Sequence, residues 1–474
     1  MEPDRWWTVS LGGIAYFFVG EDPASTGIYD LAAGSLNFSG GWVRFGDAAG
    51  STGLLNQTGG TMTVAANVAF LVGEDGAGTY NLSAGTGTFH VGLVLANDAG
   101  SSGTLNLTGT GILQVGGTNG IAQGAGTATV NLGGGTVQVI DSNLTTSVNA
   151  TLVAATQSTI DTNNLGATFS GILSGSGSLA KAGAGTLLLS GANGYSGGTT
   201  INGGTIQAGS ASALGGANGS LLINNGTFDL NGFNTSVGAL NGTANATITN
   251  NAGPGSRLTI GAGNGGGTYA GVLADGDGTL GLDKSGTGTE ILTGANTYTG
   301  GTQVLQGTLT AGSASAFGQG SLTNNGTVNA GNGNHAINVH GDYFQLGGAA
   351  LILTINSAAL HDDMAVTGTA SLGGKLQLNL APGFIPASKS SIDLIQSAGL
   401  NGTTFSSLDL VLPGFEKGAL VYTATDVSVV FSRVFLGQAG NLTPNQAAVA
   451  GYFNQFAPVV TTEILASWSP ISLR

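Results

Sequence analysis

Short runs in which apolar and polar residues alternate recur along the chain, as TYNL at 79–82, TLNL at 104–107 and TVNL at 129–132. Aligned on their asparagine, they form a column of Asp30, Asn56, Asn81, Asn106 and Asn131, spaced 26, 25, 25 and 25 residues apart. Tyr29, Leu55, Tyr80, Leu105 and Val130 precede the column, and Leu31, Gln57, Leu82, Leu107 and Leu132 follow it. This alternation predicts strands with apolar residues on one face and the asparagine on the other. Gly27, Gly53, Gly78 and Gly103 stand three residues before the column, where the last copy has Ala128. Gly34, Gly60, Gly85 and Gly135 stand four after it, interrupted by Thr110. Glycine at a fixed offset permits a positive φ or a close backbone approach, so both series predict corners.

A 25-residue period of short strands and corners, without a helical pattern, predicts an all-β chain wound as a β-solenoid with about three strands per coil. Stacking at roughly 4.8 Å per coil would superpose like residues, giving an asparagine side-chain ladder and a continuous core column. The column is therefore read as structural rather than as a row of ligand contacts. This first region spans 1–145.

Composition supports burial without disorder. Gly and Pro together account for 96 of 474 residues, and 41% of the chain is apolar, a share close to that of globular proteins. Only 7% of residues are charged, so Thr, Ser, Asn and Gly must cover the surface. A net charge of −14 and the lack of any basic run argue against a nucleic-acid partner, because phosphate binding needs clustered Lys and Arg. With no cysteine, neither disulfides nor thiolate metal sites contribute.

From 169 onward the repeat changes. The stretch at 171–209 returns at 271–312, about one hundred residues on, as a duplicated unit several coils long. Leu179, Lys181, Gly183, Gly185, Thr186, Asn193, Tyr195, Gly197, Gly198 and Thr199 form a pattern repeated by Lys284, Gly286, Gly288, Asn296, Tyr298, Gly300 and Gly301. The pattern resembles the autotransporter-associated β-strand repeat. That resemblance implies a passenger of bacterial type V secretion, a right-handed parallel β-helix displayed at the cell surface beyond a Gram-negative outer membrane. It assigns 146–335 to two such repeats and 336–435 to an autochaperone-like passenger end. It assigns 436–474 to a linker helix and truncated tail. Thr443, Pro444 and Gln446 also read as a helix start by themselves, being an N-cap, an N1 proline and a capping-box partner. The opening residues read as lacking a basic leader, and only 18 residues follow Phe456. A signal and an outer-membrane translocator barrel, the implied partner, are accordingly expected to lie outside this chain.

Chemistry is sparsely signalled. His361, Asp362 and Asp363 form an acidic turn, and Asp275, Asp277 and Asp283 hint at a calcium loop that the first copy does not share. Gly194-Tyr195-Ser196-Gly197-Gly198 matches G-x-S-x-G without a strand-to-helix elbow. His90, His335, His340 and His361 share no metal-ligand spacing. No catalytic, cofactor-binding or metal residue is therefore assigned, and no cofactor is expected. The leading expectation is a non-enzymatic, surface-displayed or secreted passenger, a stalk or adhesin-like protein facing a host, matrix or cell-surface ligand. A β-helical polysaccharide-degrading enzyme and a nonfunctional fragment of a larger autotransporter gene are the alternatives.

Overall fold

The computed structural model describes residues 8–433 except 12–15, 119, 335 and 413–415, with a few isolated positions between 443 and 452. The expected C-terminal helix, like His335, lies outside the described residues apart from those isolated positions. The chain forms two compact units, Met1–Gly300 and Gly301–Arg474.

In the first unit the 25-residue period becomes one coil of three strand segments. Strands Thr52–Val64 and Ala77–Phe89 each cover two segments, and Ala69–Val72 supplies the third between them. Successive coils pair in parallel with like residues opposed, Asn56 with Asn81, Asn81 with Asn106 and Asn106 with Asn131. The Nδ2 of each asparagine donates to the Oδ1 one coil below, at 2.8, 2.8, 2.7 and 2.8 Å from Asn56 to Asn131, and Asp30 is the terminal acceptor. A second ladder runs alongside: Gln114 donates to Gln138 at 2.8 Å, and Gln138 to Asp161 at 2.9 Å.

The two glycine series have different causes. Gly34, Gly60 and Gly85 have φ of 80°, 63° and 80°, whereas in the next two coils the left-handed residue is Gly109 or Gly134, one position earlier. Gly78 has no positive φ; a Cβ there would lie 2.0 Å from the amide nitrogen of Gly73. This earlier series therefore allows the backbone of one corner to pass the next.

Behind the ladder, Leu55, Tyr80, Leu105 and Val130 form the core column. Its two irregular members explain one another. Gln57 is buried where the neighbouring coils carry leucine, and its Oε1 accepts the Tyr80 hydroxyl at 2.7 Å while its Nε2 donates to the Thr86 carbonyl at 3.0 Å. The Tyr80 hydroxyl occupies the space a side chain at Gly87 would need. The buried polar atoms of Gln57 and Tyr80 are thus paired, as the interior favours.

Farther along, the coils shorten and vary. Leu144, Ala167, Leu187 and Ile206 are successive partners in one sheet, so these coils take 23, 20 and 19 residues. The duplicated unit is not a whole number of coils. Followed through its partners Ile201, Ile223, Gly242 and Tyr269, the strand bearing Lys181 leads to Thr289–Leu292 rather than to Lys284. Lys284 lies on Leu280–Lys284, whose partner is Ser256–Ile260 on another face. The second copy is therefore rotated by one face around the solenoid.

The second unit keeps a parallel core column of Leu309, Val328, Leu351 and Leu376. Parallel pairing then gives way. Asp426–Arg433 pairs antiparallel with both Ser391–Gln396 and Glu416–Tyr422. The turn between the last two strands is only three residues, too short for the crossover a parallel pair needs. The Thr423 hydroxyl braces it by accepting the amides of Thr425 and Asp426 at 3.2 and 2.8 Å. The expectation of a parallel β-solenoid thus holds for the coils and fails for this closing hairpin.

Candidate functional site

The residues shared by the two copies at 171–209 and 271–312 hold coils together. Lys181 is fully buried, and its Nζ donates to the carbonyls of Ala182 at 2.8 Å, Gly183 at 2.8 Å and Gly203 at 3.1 Å. The first two belong to its own corner and the third to the next coil, so one ammonium ties two turns. Burial pulls its pKa down to about 8, with Asp161 opposing. Lys284 is buried likewise and donates to Ser285 and Gly286 at 2.6 and 2.9 Å.

Asn193 stitches in both directions. Its Oδ1 accepts the Leu173 amide at 2.8 Å and its Nδ2 donates to the Ala213 carbonyl at 2.9 Å; Asn296 accepts the Leu273 amide in the same way. Tyr195 and Tyr298 are fully buried, with the Tyr195 hydroxyl 2.6 Å from the Thr199 Oγ1. Gly185 has no room for a side chain, since a Cβ would fall on the Leu165 carbonyl.

Several of these positions fall inside two stretches that match a known repeat. The passenger-associated-transport-repeat family matches residues 179–208 and 282–311. These two stretches are similar to that repeat. It is also 45% identical over 138 residues to the Adhesin BmaC autotransporter of Brucella suis biovar 1 (strain 1330), a match covering 28% of this chain. The chain spans 4% of the length of that relative. The crystal structure of the Haemophilus influenzae Hap adhesin aligns over 88% of this chain and 64% of its own, at 14% identity and a TM-score of 0.29; no assignment rests on that overlap. The autotransporter resemblance read from Lys181, Asn193, Tyr195 and their copies is borne out by the repeat family and the curated adhesin.

Several of the candidate chemical groups brace the coils. Asp275 accepts the Leu280 amide at 2.7 Å and the Thr299 hydroxyl at 2.6 Å. Asp283 instead holds Arg257, whose Nε reaches its two oxygens at 2.8 and 2.9 Å. Asp362 is fully buried and accepts the amides of Gly333, Asn334 and Thr354 at 2.8, 3.2 and 2.9 Å, while Asp363 opens the strand Asp363–Val366. Ser196 sits exposed at a repeat corner, its amide on the Gly175 carbonyl. His90 pairs with Asp141 at 2.7 Å.

Two features escaped sequence reasoning. Glu290 is fully buried at a core position, and its carboxyl is pushed up to about 8 by burial, with the amides of Leu240 and Gly267 and the Lys284 charge opposing. Alignment of the two repeats places Glu290 where the first has Leu187, a signal the sequence did contain. The other is an aromatic face around Trp42 and Arg44, in the first coils of the chain.

Proposed function

We propose that the chain is a non-enzymatic, adhesin-like β-helical passenger, displayed at the surface of a Gram-negative cell or released from it after passage through an outer-membrane translocator barrel. The observation that carries this reading is the pair of passenger-associated transport repeats, whose Lys, Asn and Tyr side chains are spent on coil stacking. The similarity to an autotransporter adhesin supports it. A right-handed winding fits, since parallel strands joined by crossovers take that hand. We assign 1–145 to the 25-residue coils, 146–335 to the transport repeats and 336–435 to the passenger end, with a linker helix and tail over 436–474. No residue is assigned a catalytic role, and the lateral faces are left to meet a host, matrix or cell-surface ligand.

The test is a gain of function. Gram-negative cells displaying residues 1–456 on a translocator barrel should attach to host cells, to matrix-coated plates or to one another several-fold better than cells displaying the barrel alone. Equal attachment on all three surfaces would overturn the adhesive reading.

A further inference from the structure

The three strand segments of the first coils give unlike lateral faces. One presents the asparagine ladder and the next the glutamine ladder. The third is aromatic, in spite of the chain's small aromatic content of 7%. Strands Tyr16–Val19, Trp42–Phe45 and Ala69–Val72 lie side by side in one sheet, so that Tyr16, Trp42 and Ala69 form one outward row and Phe18, Arg44 and Leu71 the next. Tyr16 is 60% exposed and Trp42 41%. The Arg44 guanidinium lies 4.4 Å from the Trp42 ring centroid and 5.4 Å from that of Phe18.

Arg44 also joins the aromatic rows to the adjacent corner. Its Nη1 donates to Asp47 at 2.9 Å, and its Nε is 3.2 Å from Glu74. Asp47, Asp75 and Asp98 all lie close enough to act on Glu74, so the rim of this face is acidic. Beyond Trp42 the row steps down to the small Ala69, and a depression of about 390 Å³ opens over Ala69, Leu71 and Val94, walled by Val91. That volume is within the range of small-molecule sites.

We propose that this face binds a neutral glycan. A sugar ring stacks its C–H face on Trp42, its hydroxyls meet Arg44 and Asp47, and the chain continues into the depression over Ala69. Exposed aromatic rings offer a rigid apolar surface at small entropic cost, and their faces suit C–H groups. The charged cluster supplies both donors and acceptors for vicinal hydroxyls. The acidic rim and the net charge of −14 repel sulfated or sialylated chains, which selects a neutral one. The inference deepens the adhesive reading and rests on it for its biological setting.

The purified chain should be applied to immobilised gluco-, galacto- and manno-oligosaccharides and to sulfated and sialylated counterparts. Retention on neutral oligosaccharides is expected. Trp42→Ala should weaken it about tenfold, and Ala69→Gln, which fills the depression, should also weaken it, both with unchanged circular dichroism. The proposal is overturned by no retention, by preference for the anionic sugars, or by retention that both variants leave intact. A chain that attaches cells to surfaces yet retains no sugar would sink this inference alone. Sugar retention without cell attachment would do the reverse.

Discussion

Replacing Lys181 with methionine should lower the local stability of the coils around residues 160–205 by about 3 kcal/mol. Methionine preserves most of the volume, so the loss isolates the ammonium. The carbonyls of Gly183 and Gly203 would lose their shared donor while that of Ala182 keeps its bonds from Thr162, and each buried acceptor left unmade costs roughly 1–3 kcal/mol. Water reaching the corner recovers part of this, which keeps the total near the lower end of the sum. In a stacked array the damage stays with neighbouring coils, so hydrogen exchange resolved by peptide is the right readout. Protection over 160–205 should fall by about two orders of magnitude, while protection over 52–132 should hold. A loss below tenfold would mean that the buried lysine is tolerated rather than needed.

Glu290→Leu should act in the opposite direction and stabilise the first unit by about 3 kcal/mol at pH 7. The position is fully buried, and the equivalent residue in the first repeat is the buried Leu187. The amides of Leu240 and Gly267 face the Glu290 carboxylate without closing a well-aligned hydrogen bond. Burial raises its pKa from 4.5 to about 8, so between those values the folded state binds the proton that the unfolded state has released. Stability from this group is complete below pH 4.5 and declines as the pH rises through about 8. The full loss is on the order of 4–5 kcal/mol. Denaturant unfolding followed from pH 4 to 9 should show that decline in the natural chain, and Glu290→Gln should flatten it. Parallel pH profiles for the two proteins would show that Glu290 ionises in the fold without cost.

These two residues also show what the sequence could and could not reveal. The asparagine column was legible because its coils keep 25 or 26 residues, so each register partner falls at nearly the same offset. Beyond 144 the coils take 23, 20 and 19 residues, which erases any short period and leaves only the hundred-residue duplication visible. That duplication conceals a one-face rotation, because equal sequences need not begin at equal angles. Lys181 was recognisable as a motif residue, but a lysine among glycines reads as solvent-exposed until the three carbonyls converge on it. The roles of Asp275 and Asp283 were hidden for a similar reason: their partners, Thr299 and Arg257, are 24 and 26 residues away. The Trp42 face emerges only when three strands, each about a coil apart, are laid side by side.

Display of these coils outside the cell is open to limited surface proteolysis with mass mapping on intact cells of the source organism. Peptides from residues 170–430 should be released from intact cells, with corner sites cut before strand segments. Recovery of those peptides only after lysis would show that the coils stay inside.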